Sequence, residues 1–411
     1  MAYNAIVSNM KVAIICFNLK WQAGGARLIF SLAHSLKEIG HKVVVFAPEV
    51  NRDAFPDLQE GLDIREVRQA RSFAWTENPD GFVSKIRHKI REEKLHVETA
   101  RKIAEAMDDD FDVINPHDFA YKVGKFYRKK NKRAKIIWTE NDPPFVYLPK
   151  EKKIFDLLSK LFNKYKSFSE RKYFSCIDSV VVLDKYNERW SNNRGLHARI
   201  IRSGVDFDQF FSPVKKREIG NKTVKILGLG ALNKYRRFED IILATSRLRE
   251  AGYDATATVI AKNIWGEDVY KRFLEKLVSD KGLNKYISLN FDGVSNEELR
   301  RVYRESDIFV LPIYLPKPRD GYGWGLSNFE AMAAGLPLVI CKTSTAMEVL
   351  EDGVNAMAVQ PESPTDIANK IKQLIDQPEL YHSVAETGQD FVRDNISWKK
   401  YAKEMTEVFR V

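Results

Sequence analysis

Short apolar runs rich in β-branched residues alternate with amphipathic stretches along the chain. Lys11–Phe17 is the first run and reads as a buried parallel strand. A loop containing Gly24 and Gly25 follows it. Leu28, Ile29, Leu32, Leu36 and Ile39 then fall at helical spacing within Ala26–Ile39, and Gly40 closes the helix. Lys42–Ala47 is a second strand; Val113-Ile114, Lys135–Thr139 and Ser179–Leu183 are further candidates. The second half repeats the scheme. Strands are predicted at Val224–Gly228, Ala255–Ile260, Ile287–Phe291, Ile308–Pro312 and Leu338–Cys341. Helices are predicted at Phe238–Ala251, Asn296–Glu305, Leu326–Ala334, Ile367–Ile375 and Trp398–Phe409.

Strands alternating with helices imply parallel sheets covered on both faces. The predicted fold class is therefore α/β, with two Rossmann-like, doubly wound domains. The turn Ser203-Gly204-Val205-Asp206 and the polar stretch Ser212–Lys222 place their boundary near residue 205. This gives an N-terminal domain over 1–205 and a C-terminal domain over 206–389. In open parallel sheets ligands bind outside the carboxyl ends of the strands. Two such domains facing each other are expected to enclose a cleft suited to a two-substrate transfer.

The segment Gly323–Pro337 carries the most chemistry. Two glycines free the backbone just before a helix begins. The first-turn amides near Gly325, Leu326 and Ser327 would face the loop unpaired, and with the helix dipole they suit a diphosphate. Glu330 follows one turn in. A carboxylate beside bound phosphates is repelled unless it accepts hydrogen bonds, and the vicinal hydroxyls of a ribose supply two. An ordinary strand-loop-helix with a glutamate placed by the helix dipole is the competing reading.

Other blocks occur in order around this segment: Gly24-Gly25-Ala26, Asp112–Asp118 ending a strand in His117, Ile201–Asp206, Leu227–Asp240, Asp292–Leu299, Ser306–Pro312 and Glu348–Gly353. The ordered set resembles the retaining family 4 glycosyltransferases, which have the GT-B fold, from about residue 11 to the final helix. The resemblance implies that Glu330 binds the donor ribose and that Arg236 or Arg237 holds the diphosphate. The loop aligns either way, so both stay open. It places Lys262 and Val294 near the nucleotide base and His117 beside the donor sugar. It lets backbone at Gly24 and Gly25 approach the donor phosphates or the reacting centre. The final helix, about 390–411, would pack back onto the first domain. A planar guanidinium suits a departing diphosphate, the main charge that develops in such a transfer. No side-chain nucleophile is required, since the donor phosphate can itself receive the acceptor proton. At two positions the chain departs from the pattern. Ala231 stands where the family has an arginine. Tyr322 stands where it has a second glutamate, eight residues before Glu330. Tyr322 or the nearby Asp320 is then the candidate for a donor-sugar contact.

Charge changes the picture for the first half only. Residues 1–205 hold 37 Lys+Arg and 26 Asp+Glu, whereas 206–411 hold 29 and 30. Lys122–Lys135 alone contains eight basic residues, and Lys150–Phe174 has apolar residues at helical spacing among lysines. An anionic acceptor or an anionic membrane surface is the expected partner of this half. Packing of the apolar stripe onto the domain is the competing reading. No nucleic-acid module accompanies the charge. Cys16, Cys176 and Cys341 are odd in number and widely spaced, which argues for a reducing cytoplasm over a disulfide framework. Neither a secretory signal nor a spanning segment is read, so a cytoplasmic protein, peripheral at most on a membrane, is expected. Asp108-Asp109-Asp110 has a formal Asp-x-Asp spacing but reads as an acidic loop, and no metal or other cofactor is expected.

The leading expectation is thus a hexosyltransferase-type enzyme. It would move a sugar from a nucleotide-sugar donor to a glycan or lipid-linked acceptor in polysaccharide, lipopolysaccharide or glycolipid biosynthesis. Ala231 and Tyr322 keep a second class open, a catalytically silent relative that binds a partner. A third is a nucleotide-sugar epimerase on the same fold.

Overall fold

A computed structural model describes residues 9–69, 82–141, 168–315 and 323–410. The chain divides into two compact units. One comprises Met1–Arg202 with Tyr401–Val411, and the other Ser203–Lys400.

In the first unit seven strands form one sheet: β1 (Lys11–Ile15), β2 (Lys42–Ala47), β3 (Asp63–Glu66), β4 (Val113–Pro116), β5 (Lys135–Glu140), β6 (Ser179–Val182) and β7 (Ala198–Ile200). Their order is β3-β2-β1-β4-β5-β6-β7, and every pairing is parallel. The central strands β1 and β4 are buried on both faces; β1 reads as an apolar run, and β4 as the pair Val113-Ile114 before the buried Asn115. Val12 of β1 registers with Val43 on one side and Val113 on the other. The helix Phe82–Ala106 packs Ala100, Ile103 and Ala104 into the core with Ile15, Phe46, Ile114 and Ile136. The last residues of the helix Trp398–Arg410 belong to this unit. Met10 N–H donates to His41 Nδ1 at 3.3 Å, so the opposite ring nitrogen carries the proton and donates to Thr406 Oγ1 at 3.0 Å.

The second unit has β8 (Thr223–Ala231), β9 (Asp254–Lys262), β10 (Ile287–Asn290), β11 (Ile308–Leu311), β12 (Leu338–Cys341) and β13 (Met357–Val359). Their order is β10-β9-β8-β11-β12-β13, again all parallel. The expected α/β class and the two doubly wound sheets are both present. The strand order reverses between β1 and β4 in one sheet and between β8 and β11 in the other. Doubly wound folds bind ligands at the carboxyl side of such reversals.

Close packing brings the helix Phe238–Glu250 down onto β8. The methyl Cδ1 of Ile241 lies 2.4 Å from where a Cβ on Gly228 would stand. A side chain at Gly228 would force Ile241 out, an overpacking cost of about 1–3 kcal/mol. Where the chain passes into the second unit, Gly204 meets backbone instead. A Cβ there would fall 2.1 Å from the carbonyl carbon of Ser397. Val205 N–H donates to Ile396 O at 3.3 Å, and Asp206 caps the short helix Phe207–Phe210 through Gln209 N. Glycine is thus required at the turn Ile201–Asp206 for backbone to lie on backbone. Among the described residues, no helix is long and apolar enough to cross a membrane.

Candidate active site

The carboxyl edge of the second sheet gathers most of the residues expected at a site. Gly325 is the N-cap of the helix Leu326–Ala333 and has φ 63°; Gly323 has φ 86°. Both also lack room for a side chain. A Cβ on Gly323 would meet Ile313 Cδ1 at 2.6 Å, and one on Gly325 would meet Asn328 Nδ2 at 2.8 Å. These two glycines let the chain turn tightly over the end of β11, and no side chain caps the helix start. Ser344 Oγ donates to Gly323 O at 3.0 Å, and Trp324 Nε1 donates to Ser203 O at 3.1 Å, which pins the turn. Ala331 and Ala333 are fully buried, so the helix sits close to its neighbours. Leu326 and Ser327 are half-buried, and Glu330 is buried.

Glu330 Oε2 accepts a hydrogen bond from the Tyr303 hydroxyl at 3.0 Å. Tyr303 comes from the helix Asn296–Glu305, whose start is capped by Ser295 Oγ accepting from Glu298 N. The sequence reading did not single out Tyr303. Its only signal is an aromatic residue in the buried phase of an otherwise charged helix.

The two arginines that the sequence left undivided have different surroundings. Arg237 has φ 57°, an unfavourable backbone for a residue with a Cβ. Its side chain forms a bidentate pair with Asp240 (2.9 Å to each oxygen) and approaches Glu239 at 3.2 Å and Glu362 at 2.9 Å. Burial works against its charge, but the Asp240 hydrogen bond and the surrounding carboxylates outweigh it and raise its pKa. Burial raises the pKa of Asp240 and of Glu239, and the guanidinium pulls both partly back. Arg236 instead lays its guanidinium along Gly230, where a Cβ would stand 3.1 Å from Cζ, Nε and Nη1. Tyr314 N–H donates to Tyr235 O at 2.9 Å, tying the Arg236 loop to the strand end that leads toward Gly323. Ala231, the last residue of β8, lies beside this arrangement.

Lys262 ends β9, and its stem runs over Gly293, where a Cβ would fall 2.8 Å from Cδ. Val294 follows Gly293 and is half-buried. These residues lie on the neighbouring strands of the same sheet edge. Asp320 and Tyr322 lie outside the described residues.

In the first unit, Gly24 and Gly25 open the helix Gly24–Glu38 and are exposed. A methyl on Gly25 would touch nothing within 4 Å. His117 follows β4 and is only 1% exposed. Asn115 uses its amide nitrogen on Ile137 O (2.7 Å) and Thr139 Oγ1 (2.9 Å), so its oxygen accepts from His117 Nε2 at 3.0 Å. That fixes Nδ1 as the unprotonated nitrogen, and it has no partner among the described residues. Burial pushes the pKa of His117 down to about 3, so the ring is neutral at pH 7. The next residue, Asp118, has φ 46°. Three bonds hold it there: its carboxylate accepts from Asn141 N (2.9 Å) and Nδ2 (3.4 Å), and its carbonyl from Trp138 Nε1 (3.0 Å). Such over-determined positive φ is a mark of functional sites, and no pattern in the sequence announces it.

The basic run Lys122–Lys135 is partly consumed inside the fold. Lys122 is buried, pairs with Glu93 at 2.8 Å and Glu170 at 3.4 Å, and donates to Tyr121 Oη. Arg128 pairs with Asp178, and Lys130 donates to the carbonyls of Ala104, Glu105 and Met107 at the end of the helix Phe82–Ala106. Asp108 is paired with Lys11 and Arg65. Most of the amphipathic stretch Lys150–Phe174 lies outside the described residues. Among those described, no cluster of three or more His, Cys, Asp or Glu has metal-binding geometry.

Two sequence families account for most of the chain. Residues 23–209 match Glycosyltransferase Family 4, and residues 212–391 match Glycosyl transferases group 1. The chain belongs to glycosyltransferase family 4. Its relatives in this family include an uncharacterised glycosyltransferase of Methanocaldococcus jannaschii, 27% identical over 69% of this chain and 70% of that one. A GDP-mannose-dependent alpha-(1-6)-phosphatidylinositol monomannoside mannosyltransferase of Mycolicibacterium smegmatis is 24% identical over 56% and 62%. The crystal structure of Anabaena HepE in complex with UDP and glucose superposes with a TM-score of 0.69 at 15% identity, covering 98% of this chain and 100% of that one. The family 4 glycosyltransferase therefore has the GT-B fold, and its activity falls in the sugar-transferring class, EC 2.4.

Proposed function

We propose that this glycosyltransferase transfers a hexose from a nucleoside-diphosphate sugar to a glycan or lipid-linked acceptor with retention of anomeric configuration. The second unit binds the donor and the first the acceptor. One observation carries the reading: the uncapped helix start at Leu326, made by two glycines at positive φ, has the buried carboxylate Glu330 one turn in. Backbone amides there suit a diphosphate, and Glu330 suits a ribose diol. Arg236 is the arm that neutralises the departing diphosphate. Arg237 is already saturated by three carboxylates and serves the fold. Lys262 and Val294 border the base, and Asp320 or Tyr322 meets the donor sugar.

In this reading the leaving phosphate takes the acceptor's proton while the new bond forms on the face it vacates. His117 is neutral and does not act as an acid at pH 7; its Nδ1 is an acceptor for a sugar hydroxyl. Gly24 and Gly25 let backbone approach the reacting centre. No cofactor enters the scheme. The mannosyltransferase relative, named for GDP-mannose and a phosphatidylinositol mannoside, and HepE, solved with UDP and glucose, support a hexose donor. The basic excess of the first half supports a polysaccharide, lipopolysaccharide or glycolipid acceptor at the cytoplasmic face of a membrane.

A thermal-shift panel of UDP-, GDP-, ADP- and dTDP-sugars tests this. One donor should raise the melting temperature, because a ligand that binds only the folded state stabilises it by mass action. Glu330→Ala should abolish that rise while leaving the unliganded melting temperature nearly unchanged. A rise that survives the substitution removes Glu330 from the site.

A further inference from the structure

We propose that Tyr303 is a positioning residue that holds the Glu330 carboxylate in the orientation a ribose diol requires; this rests on the assignment of Glu330 above. Glu330 is 4% exposed and Tyr303 1%. The hydroxyl stands 3.0 Å from Glu330 Oε2 and 3.4 Å from the carbonyl of Ser327. It has one proton to give. The shorter contact to an ionised acceptor is the stronger, so the proton goes to the carboxylate.

The tyrosine is itself held from two sides. Phe210 meets its ring edge-on at 5.7 Å and 89°, and Phe309 lies 6.1 Å away. The ring cannot swing, so the hydroxyl is a fixed point to which a longer, rotatable side chain is tied. A carboxylate has about four acceptor positions. The bond to Tyr303 uses one of them and removes rotamer freedom before ligand arrives, which lowers the ordering cost of binding. Packing alone does not require the hydroxyl, since phenylalanine would fill the same space. The same hydroxyl approaches Ser327 O in the first turn of the helix. Through Glu330, Tyr303 is tied to the helix whose start would bind the diphosphate.

The test uses the full chain and calorimetric titration with UDP, GDP and ADP, each against its 2′-deoxy counterpart. Wild type should prefer one ribonucleotide over its 2′-deoxy form. Glu330→Ala should erase that preference. Tyr303→Phe should reduce it about fivefold to tenfold with the melting temperature nearly unchanged, and should add nothing in a Glu330→Ala background. Phe210→Leu loosens the same ring without removing the hydroxyl and should reduce the preference by less than Tyr303→Phe does. Equal weakening of both sugars by Tyr303→Phe with the preference intact overturns the proposal, as does a loss in Phe210→Leu as large as that in Tyr303→Phe. A preference that survives Glu330→Ala, or is absent in wild type, overturns the ribose assignment and the proposal with it.

Discussion

The carboxyl edges of the two sheets have the same topology and opposite character. At the edge of the second stand a helix start with no side-chain cap and a half-buried arginine laid on glycine. At the edge of the first, the polar side chains turn inward and bond to one another: Asn115 holds His117, and Asn141 holds Asp118. One edge is arranged around fixed dipoles and charge, the other around a neutral, desolvated histidine. The contrast teaches that a doubly wound sheet supplies only the place. Whether that place binds an anion is decided by which glycines and charges sit on the loops.

The largest effect expected from this contrast separates the adjacent arginines. Arg236→Ala should lower kcat/KM by about 100-fold, the size seen when one preorganised donor to developing charge is removed, with little change in urea midpoint. Arg237→Ala should do the reverse. It leaves Asp240, 1% exposed at its side chain, without its fork partner, and breaking such a buried pair costs about 3 kcal/mol. Interchanged results would move the diphosphate arm to Arg237.

A smaller effect belongs to the histidine. His117 has its pKa lowered to about 3 in the folded chain, against 6.5 unperturbed. Between these values the unfolded chain binds more protons, so stability rises with pH through the window and its contribution is complete above 6.5. Below pH 6.5 wild type should lose about 1.4 kcal/mol per pH unit from this group. His117→Gln should flatten that part of the slope in urea titrations between pH 5 and 7. An unchanged slope would mean that the ring is hydrated and titrates normally.

The smallest effect sharpens the role of the N-terminal glycines. Gly25 is outside the left-handed region and has open space around its missing side chain. Gly25→Ala should therefore stabilise the fold by about 0.5–1 kcal/mol while lowering kcat/KM, because the methyl would stand where a ligand approaches. A variant both more stable and fully active would remove Gly25 from the site.

Much of this was legible in the sequence because it is local. Strands β1 and β11 are buried on both faces, so each reads as an apolar run. Strand β3, Asp-Ile-Arg-Glu, and strand β7, Ala-Arg-Ile, lie at sheet edges and are only partly buried, so they escape the same reading. The helices Asp268–Asp280 and Pro378–Asn395 were also not read. At the site, Gly325, Ser327 and Glu330 lie within six residues, and their spacing announces them. Tyr303 reaches Glu330 from 27 residues away along the chain. Its part depends on where two helices come to rest, which no spacing encodes. The division of labour between Arg236 and Arg237 likewise depends on Glu362, a residue from a distant turn.

The first unit is discontinuous in the chain, and this bears on how the protein is made. The Nε2 of its buried His41 donates to Thr406, which is synthesised after all of Ser203–Lys400. During translation the early unit must therefore wait, its last wall missing, while the later one is made and is free to fold ahead of it.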